Sequence, residues 1–347
     1  MHVEDVSVVM ANYNYAQFLT RAVKGVLSQS VRPREFIVID DCSTDNSLQI
    51  LNEFARQDPL LRIIRNEKNR GILDFHNRAV DIASGKYIAL IASDDYILPG
   101  MIEKSLAILR KYPLAGLSSA YHSVIKEPSG EILPNPSQWC AEPRYFSPDQ
   151  LVRIIGPGCI PVHTAVFRRE ALLEVGGFDG DLRWHCDWFT SLVIGFRHGL
   201  CHVPETIALI SERESTYSSP GLRKPIDQQT VLRNLLRRLI SPAFADVLPS
   251  FQSSGVMTSF GPNLVHAAAE MPERWTPGVL GLIDGLELEV YETLLVDTNE
   301  EVRELSRFLL GPMWWRRKKE IQTVQPERKR SRLFRVLDSI RRRCRIS

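Results

Sequence analysis

Three short apolar runs in the first hundred residues are each followed within three positions by asparagine or aspartate. They cover residues 6–10, 35–39 and 87–91. Five-residue apolar runs bounded by turn residues are typical of strands buried on both faces of a parallel sheet. The pattern therefore favours folds in which several such strands lie side by side.

The segments between these runs have helical periodicity. Apolar residues recur every three or four positions within residues 18–27, 48–55 and 72–83, and a further short strand is predicted at residues 61–64. Strand and helix thus alternate about four times in roughly the first 110 residues. This alternation predicts an α/β fold with a doubly wound, mostly parallel sheet.

Two pairs of adjacent aspartates follow predicted strands, Asp40 with Asp41 and Asp94 with Asp95. Open α/β sheets bind ligands beyond the carboxyl ends of their strands. Adjacent carboxylates repel each other, and a divalent cation that also grips a diphosphate would relieve this repulsion. One such pair alone is usually a solvated turn, but two pairs at one sheet edge favour a metal and nucleotide site.

Five motifs, in order along the chain, resemble the family-2 glycosyltransferases of the GT-A fold. They lie at residues 6–14, 38–45, 69–71, 84–87 and 93–95, and the later segments 175–179 and 186–188 are similar to that family as well. The resemblance covers residues 4–215. It implies a GT-A-type fold, a nucleotide-sugar donor that is typically UDP-linked, and transfer to an acceptor hydroxyl with inversion.

The resemblance also implies roles for individual residues on the donor side. Ala11, Tyr13 and Asp41 would line the nucleotide-base pocket, with the Tyr13 ring beside the base and the Asp41 carboxylate accepting a hydrogen bond from it. Asp94 would lie near the ribose and the metal, and Asp95 would bind the metal directly. The ion would be Mn²⁺ or Mg²⁺, which acts as a Lewis acid on the leaving diphosphate.

On the acceptor side, the resemblance implies that Asp187 is the general base that takes the proton from the acceptor hydroxyl. His163, Trp184, His185 and Trp188 are candidate acceptor-binding residues, because aromatic rings pack against the apolar faces of sugars. Each has a structural alternative. The rings could belong to the core, and Asp187 could be a favourable charge at a helix N-terminus.

The chain departs from the family pattern at three positions. Ala92 stands where many members have a further aspartate, so fewer carboxylates would surround the metal. Cys186 replaces the acidic neighbour of the presumed base. Cys42 replaces a common glycine, which is not required if the backbone keeps a negative φ at that position.

Composition agrees with an enzyme that has a real core. The 347 residues are 44% hydrophobic, and the six cysteines are scattered without a Cys-x-x-Cys pair, so we expect neither a zinc site nor a disulfide framework. The first strand is predicted within a few residues of the N-terminus, so we expect no signal peptide. No 18-residue apolar stretch predicts a transmembrane helix, and a reducing cytoplasm is the expected location.

The C-terminal end is strongly basic. Residues 316–347 contain 13 Lys or Arg and three acidic residues, although the net charge of the whole chain is only +2. Apolar residues spaced three or four apart after Pro326, and a preceding Trp pair, suit an anionic membrane surface as the partner of residues 313–347. A disordered basic tail is the alternative. We expect no nucleic-acid partner, because no aromatic-interleaved basic groove accompanies the charge.

The predicted organisation has three parts. Residues 1–215 form the glycosyltransferase domain, with a nucleotide-sugar-binding half at 1–115 and an acceptor half at 116–215, and residues 216–312 form a helical extension that covers the acceptor side or supports a homo-oligomer. Residues 313–347 form the basic amphipathic tail. Helices are predicted in the extension at residues 231–240, 264–270, 279–296 and 302–310, and a loop-rich insertion at residues 128–148.

Together these features predict a metal-dependent glycosyltransferase, bound peripherally to the inner face of the cell membrane, that builds a surface polysaccharide or a lipid-linked glycan. A nucleotidyltransferase is one alternative. It usually holds a triphosphate with a glycine-rich, basic loop after the first strand, whereas residues 11–15 contain neither glycine nor positive charge. The other alternative is a glycan- or nucleotide-binding scaffold whose catalytic site has decayed.

Overall fold

The structure, a computed structural model, describes residues 3–134, 139–213 and 224–323, with side chains described as far as residue 311. These residues divide into two compact units, one up to Leu286 and one from Glu287 onward. The first unit contains the sheet.

A ten-stranded sheet forms the centre of the first unit, with the main strand order β3-β2-β1-β4-β9-β6-β10-β5. Strands β3, β2, β1 and β4 are parallel to one another, and β9 is antiparallel to both β4 and β6. In chain order the strands are β1 (Val3–Asn12), β2 (Arg32–Asp40), β3 (Leu61–Arg65), β4 (Tyr87–Ala92), β5 (Tyr96–Ile97), β6 (Leu117–Lys126), β7 (Glu131–Pro134), β8 (Arg144–Phe146), β9 (Val166–Arg168) and β10 (Leu200–Glu212).

Helices connect and cover the strands because each places an apolar face against the sheet or a neighbouring helix. In the first helix, Leu19, Ala22, Val23 and Val26 are buried on one face. The helices of the first unit are α1 (Ala16–Leu27), α2 (Ser47–Gln57), α3 (Gly71–Ile82), α4 (Met101–Lys111), α5 (Pro148–Ile155), α6 (Arg169–Val175), α7 (Cys186–His198), α8 (Pro225–Leu239), α9 (Leu248–Ser253), α10 (Pro262–Ala269) and α11 (Pro277–Ile283). The second unit contains α12 (Leu288–Leu294) and α13 (Glu300–Thr323).

The predicted fold class is confirmed: the chain has a mixed α/β architecture with a mostly parallel central sheet and a helical C-terminal region. One predicted helix is wrong in its extent. Residues 279–296 form two helices, α11 and α12, because residues 284–287 around Gly285 leave the helical conformation. The insertion predicted as loop-rich contains the short strands β7 and β8.

The helical extension is divided between the two units. Helices α8 to α11 belong to the unit that contains the sheet, and α12 and α13 belong to the second unit. Helix α13 extends into the predicted basic tail as far as Thr323, and the rest of that tail lies outside the described residues. Among the described residues, no helix combines the length and the hydropathy that crossing a membrane requires.

The carboxyl ends of three parallel strands meet at one edge of the sheet. Asn12 at the end of β1 is in register with Asp40 at the end of β2, and Ala11 is in register with Ala92 at the end of β4. The turns that follow these strands therefore begin side by side. This edge positions the candidate site.

Gly199, between α7 and β10, provides a test of this packing. Its φ of +79° suits glycine, and a Cβ would lie 2.4 Å from the Tyr145 hydroxyl oxygen and 2.6 Å from the Phe146 carbonyl oxygen. We expect Gly199→Ala to lower the free energy of unfolding by about 2 kcal/mol or more, because backbone strain and overlap add. Urea denaturation measures this loss. Gly285→Ala is the control, since its Cβ would meet its nearest atom at 3.5 Å, and equal stability of the two variants would contradict the packing.

Candidate active site

A buried hydrogen-bond network ties the three strand ends together. The Asn12 side chain, 2% accessible, donates to Asp40 Oδ1 at 2.7 Å and to Ser43 Oγ at 3.2 Å. It also accepts from Ser93 Oγ at 2.8 Å. One side chain thus fixes the turns after β2 and β4 relative to β1. The sequence motifs contained these residues, but no structural role was predicted for Asn12 or Asp40.

Asp41 holds the start of α3. Its carboxylate accepts hydrogen bonds from the Asn66 side chain at 2.7 Å, from the Arg70 N–H at 2.8 Å and from the Gly71 N–H at 2.7 Å. A carboxylate at a helix N-terminus satisfies free N–H groups and interacts favourably with the helix dipole. The contact of Asp41 with a nucleotide base stays a prediction, to which these bonds add a structural role.

Cys42 does not keep a negative φ. Its φ is +66°, in the left-handed region that favours glycine. The sequence predicts that glycine is unnecessary here if φ is negative, and that condition is not met. The turn therefore contains a strained cysteine. Its Sγ lies 3.5 Å from the Glu67 carbonyl oxygen, which connects this turn to the segment before α3.

Ala11 and Tyr13 flank Asn12 on the rim of the same edge. The Ala11 carbonyl accepts a hydrogen bond from the Ser93 N–H at 3.0 Å. The Tyr13 side chain is 42% accessible, so its ring is open to a ligand. This exposure is compatible with the predicted role of Tyr13 beside a base.

Asp94 is paired with a cation from a distant part of the chain. Its carboxylate forms an ion pair with Arg213, whose guanidinium also donates to the Tyr15 hydroxyl at 2.9 Å. Burial raises the pKa of Asp94, and the adjacent charge of Asp95 raises it further, while Arg213 opposes both effects. Arg213 is a site residue that the motifs did not indicate, because it lies 119 positions away from Asp94.

Asp95 faces His163. Its Oδ2 lies 2.8 Å from His163 Nδ1, and its Oδ1 accepts from the Ser211 N–H at 3.1 Å. Burial lowers the pKa of His163, but the charge and hydrogen bond of Asp95, together with the charges of Asp187 and Asp94, raise it to about 9. The His163 side chain is still 48% accessible, so it can meet a ligand.

Asp187 lies near the same histidine, at the second position of α7. Its Oδ1 accepts from the Trp188 N–H at 2.7 Å, as expected for an acid in the first turn of a helix. The charge of Asp187 raises the pKa of His163, as the charge of Asp95 does. The other side chains whose pKa the Asp187 charge raises are His76, Cys159, His185 and Cys186.

His76, on α3, is a further site residue that the sequence did not indicate. Its Nδ1 lies 3.9 Å from Cys186 Sγ, and its ring stacks on Phe178 with centroids 4.7 Å apart. Burial lowers its pKa to about 4, which outweighs the opposing effect of Asp187. His76 is therefore neutral at pH 7. A single histidine on an amphipathic helix gives no local sequence signal for such a position.

Trp184, His185 and Trp188 pack against the helical extension. The Trp184 indole donates to the Gln228 side chain at 2.8 Å, and the His185 ring lies 5.1 Å, between centroids, from Phe260. Trp188 contacts Phe260 and the neighbouring α9 in the same way. These contacts agree with the alternative that the three rings belong to the core. Contact of the three residues with an acceptor stays a prediction.

The chemistry of Asp95 and His163 fits a divalent cation. A carboxylate oxygen is a ligand of Mn²⁺ and Mg²⁺, and an imidazole nitrogen is a ligand of Mn²⁺ once His163 has lost the proton that its raised pKa retains. A small number of protein ligands suffices when substrate phosphates complete the coordination. Within the described parts of the chain, no group of three or more His, Cys, Asp or Glu side chains is arranged to hold an ion. A metal here would therefore depend on the nucleotide for its remaining ligands.

The fold and site first define a class: an open α/β sheet whose ligand-binding edge carries carboxylates, a histidine and an exposed aromatic ring. Residues 7–176 match the family model described as glycosyl transferase family 2. This part of the chain belongs to glycosyl transferase family 2.

Two curated relatives illustrate the match. The chain is 37% identical over 100 residues to glycosyltransferase GlyG of Streptococcus pneumoniae, which is 29% of this chain and 33% of GlyG. It is 34% identical over 135 residues to chondroitin synthase of Pasteurella multocida, which is 39% of this chain and 14% of that enzyme. The matched segments thus span a third or less of these relatives.

A solved structure matches nearly the whole chain. The structure of residues 1–349 of TarS from S. aureus, in complex with UDP-GlcNAc, superposes with a TM-score of 0.64 and covers 91% of this chain and 92% of that one. The sequence identity is 18%, so the likeness concerns the fold alone. It extends the agreement in fold beyond the segment that the family model matches.

The strained turn at Cys42 leads to a prediction that reverses the usual ranking of alanine and glycine. We expect Cys42→Gly to be more stable than Cys42→Ala by about 1 kcal/mol, because a left-handed residue other than glycine costs roughly 1–2 kcal/mol. Equilibrium urea denaturation compares the two variants. At Gln49, an exposed position in α2, the alanine variant should instead be more stable than the glycine variant by about 1 kcal/mol. If the alanine variant were the more stable one at position 42 as well, the left-handed conformation of Cys42 would be ruled out.

Proposed function

We propose that the chain transfers a sugar from a nucleoside-diphosphate sugar to an acceptor hydroxyl with inversion, in the synthesis of a surface polysaccharide or a lipid-linked glycan. The first donor class to test is UDP-linked. The observation that carries the proposal is the contact of α3 with both parts of the site. Asp41, after β2, binds the start of α3, and Cys186, directly before Asp187, lies 3.9 Å from His76 of the same helix. A donor diphosphate and an acceptor hydroxyl need acids of both segments close together.

On the donor side, the exposed Tyr13 ring would pack against the base, and Ala11 and Asp41 would complete the pocket. Asp94 would contact the ribose, next to its ion-pair partner Arg213. This guanidinium brings positive charge to the edge where a diphosphate would bind. A built-in cation of this kind stabilises a dianionic ligand in a partly buried site.

Asp95 would hold the divalent cation, Mn²⁺ or Mg²⁺, and the His163 ring would become a second ligand when the cation displaces the proton from its Nδ1. When bound, such an ion stabilises the charge that develops on the leaving diphosphate. The hydrogen bond between Asp95 Oδ2 and His163 Nδ1 holds these two atoms 2.8 Å apart. After a small separation, both atoms could contact one ion. The Ser211 N–H holds the other oxygen of Asp95 in place.

Asp187 would act as the general base. Its carboxylate takes the proton from the acceptor hydroxyl while that oxygen forms a bond to the anomeric carbon and the bond to the diphosphate breaks. The nucleoside diphosphate leaves with the bonding electron pair. Because the acceptor attacks the face opposite the leaving group, the configuration at the anomeric carbon inverts.

The basic tail supports a further proposal, peripheral binding to the inner face of the cell membrane. Each Lys or Arg near an anionic surface contributes about 1 kcal/mol, and residues 316–347 contain thirteen of them. Such binding would bring the enzyme to a lipid-linked acceptor.

Substitution of the proposed base tests the catalytic role. We expect Asp187→Asn to lower kcat by roughly 10²- to 10⁴-fold, since the amide cannot take a proton. UDP affinity, measured by calorimetry with Mn²⁺, should stay unchanged. Release of nucleoside diphosphate from a panel of nucleotide sugars, with Mn²⁺, measures turnover.

Asp149→Asn is the matched control, because it removes the same charge from an exposed residue in the first turn of another helix, α5. Its turnover should equal that of the wild type. If Asp187→Asn turns over at the wild-type rate, the base is elsewhere. If Asp95→Asn and the wild type release nucleotide equally, the proposed donor site is wrong, and a binding scaffold becomes the better interpretation.

Flotation with vesicles tests the membrane proposal. The full chain should float with vesicles of phosphatidylserine and phosphatidylcholine and not with phosphatidylcholine alone, because the attraction is electrostatic. Replacing the Lys and Arg residues between positions 328 and 345 with glutamine should abolish flotation. Unchanged flotation of that variant would refute a role of the tail in membrane binding.

A further inference from the structure

The Gln228 side chain connects α8 to the segment that leads into α7. It is 5% accessible. Its Oε1 accepts from Trp184 Nε1 at 2.8 Å, and its Nε2 lies 3.0 Å from His185 Nε2. The indole N–H is a donor only, so the amide oxygen faces Trp184. His185 Nε2 also lies 3.1 Å from this oxygen, so the one amide group binds both rings.

Two further contacts attach α8 to the same region. The Asn234 side chain donates to the Asp181 carbonyl at 3.3 Å, and Arg238 forms an ion pair with Asp179. The three contacts extend over nearly three turns of α8. They hold the 3₁₀ segment Gly180–His185 along its whole length.

The segment held in this way is strained. Arg183 has φ +44° and ψ −117°, a combination outside the regions that side-chain-bearing residues normally adopt. Strain of this kind persists only where surrounding contacts over-determine the conformation. The Gln228, Asn234 and Arg238 contacts provide that constraint.

The strained segment determines where Asp187 lies. It ends at His185, directly before α7 begins at Cys186. In the part of the chain that the structure describes, the one hydrogen bond of the Asp187 carboxylate is to the next residue's own N–H. No side chain there anchors Asp187 by a hydrogen bond, so its position depends on the backbone that precedes it.

We propose that Gln228 is a positioning residue for Asp187: by binding Trp184 and His185 together, it fixes the start of α7 and directs the carboxylate toward the acceptor hydroxyl. The inference rests on the proposed role of Asp187 as general base. It assigns the first helix of the extension a part in the reaction, although Gln228 itself does not touch the reacting atoms.

Gln228→Met tests the inference, because it keeps the length of the side chain and removes both hydrogen bonds. We expect kcat to fall roughly ten- to a hundredfold, the effect of a base displaced by about 1 Å. The KM for the nucleotide sugar should stay within about twofold, since the donor site lies at the strand ends. Gln229→Met is the matched control: the neighbouring glutamine, half-buried in the same helix, should tolerate the change with wild-type kcat.

A double-mutant cycle distinguishes positioning from general destabilisation. If Gln228 acts through Asp187, Gln228→Met should reduce kcat no further in an Asp187→Asn background. A full additional loss in that background, or an unchanged kcat in the single variant, would overturn the inference. Should Asp187→Asn alone keep wild-type activity, the proposed function fails first, which separates the two outcomes.

Gln228→Glu keeps the inference testable if the methionine variant does not fold. The carboxylate retains an acceptor for the Trp184 indole and can accept from His185 once that ring carries its proton on Nε2. We expect a kcat between those of the wild type and Gln228→Met, with unfolding midpoints close to the wild-type value. A glutamate variant that is less active than Asp187→Asn would contradict a role limited to positioning.

Discussion

The hydrogen bonds of Asn12 are the constraint on which the candidate site depends. Buried at the end of β1, this side chain joins Asp40 and Ser43 after β2 to Ser93 after β4. Removing one partner would leave buried polar groups unsatisfied, at a cost of about 1–3 kcal/mol for each. The network thus fixes the two turns that present Asp41 and Asp95 relative to each other.

In each acidic pair at the sheet edge, one aspartate is bound within the protein and the other contacts an accessible group. In the first pair, Asp40 is fully buried in the Asn12 network, while Asp41 is hydrogen-bonded to the exposed start of α3. In the second pair, Asp94 is neutralised by Arg213, while Asp95 faces the accessible ring of His163. Arg213 therefore offsets part of the repulsion between Asp94 and Asp95, and Asp95 remains the carboxylate proposed to bind a cation.

Local periodicity predicted the alternation of strands and helices and the sheet edge where the acids meet, because these depend on patterns within a few residues of each other. The conformation of Cys42 was not predictable in this way, since its positive φ results from the turn that Asn12 and Asp41 hold together. Residues such as Arg213, His76 and Gln228 were missed for a similar reason. Their partners lie at least 43 positions away. Contacts between residues so far apart form only in the folded chain and cannot be predicted from local sequence spacing.

Anomalous diffraction from crystals of the protein grown with UDP and Mn²⁺ tests most directly whether the distant acids surround one diphosphate. We expect a single strong manganese peak within bonding distance of Asp95 and His163 and next to the UDP phosphates. The uridine should lie beside Tyr13, with an open space in front of Asp187. A manganese ion and nucleotide bound away from this edge, or Asp187 facing a surface that does not connect with them, would contradict the convergence from which the catalytic roles were inferred.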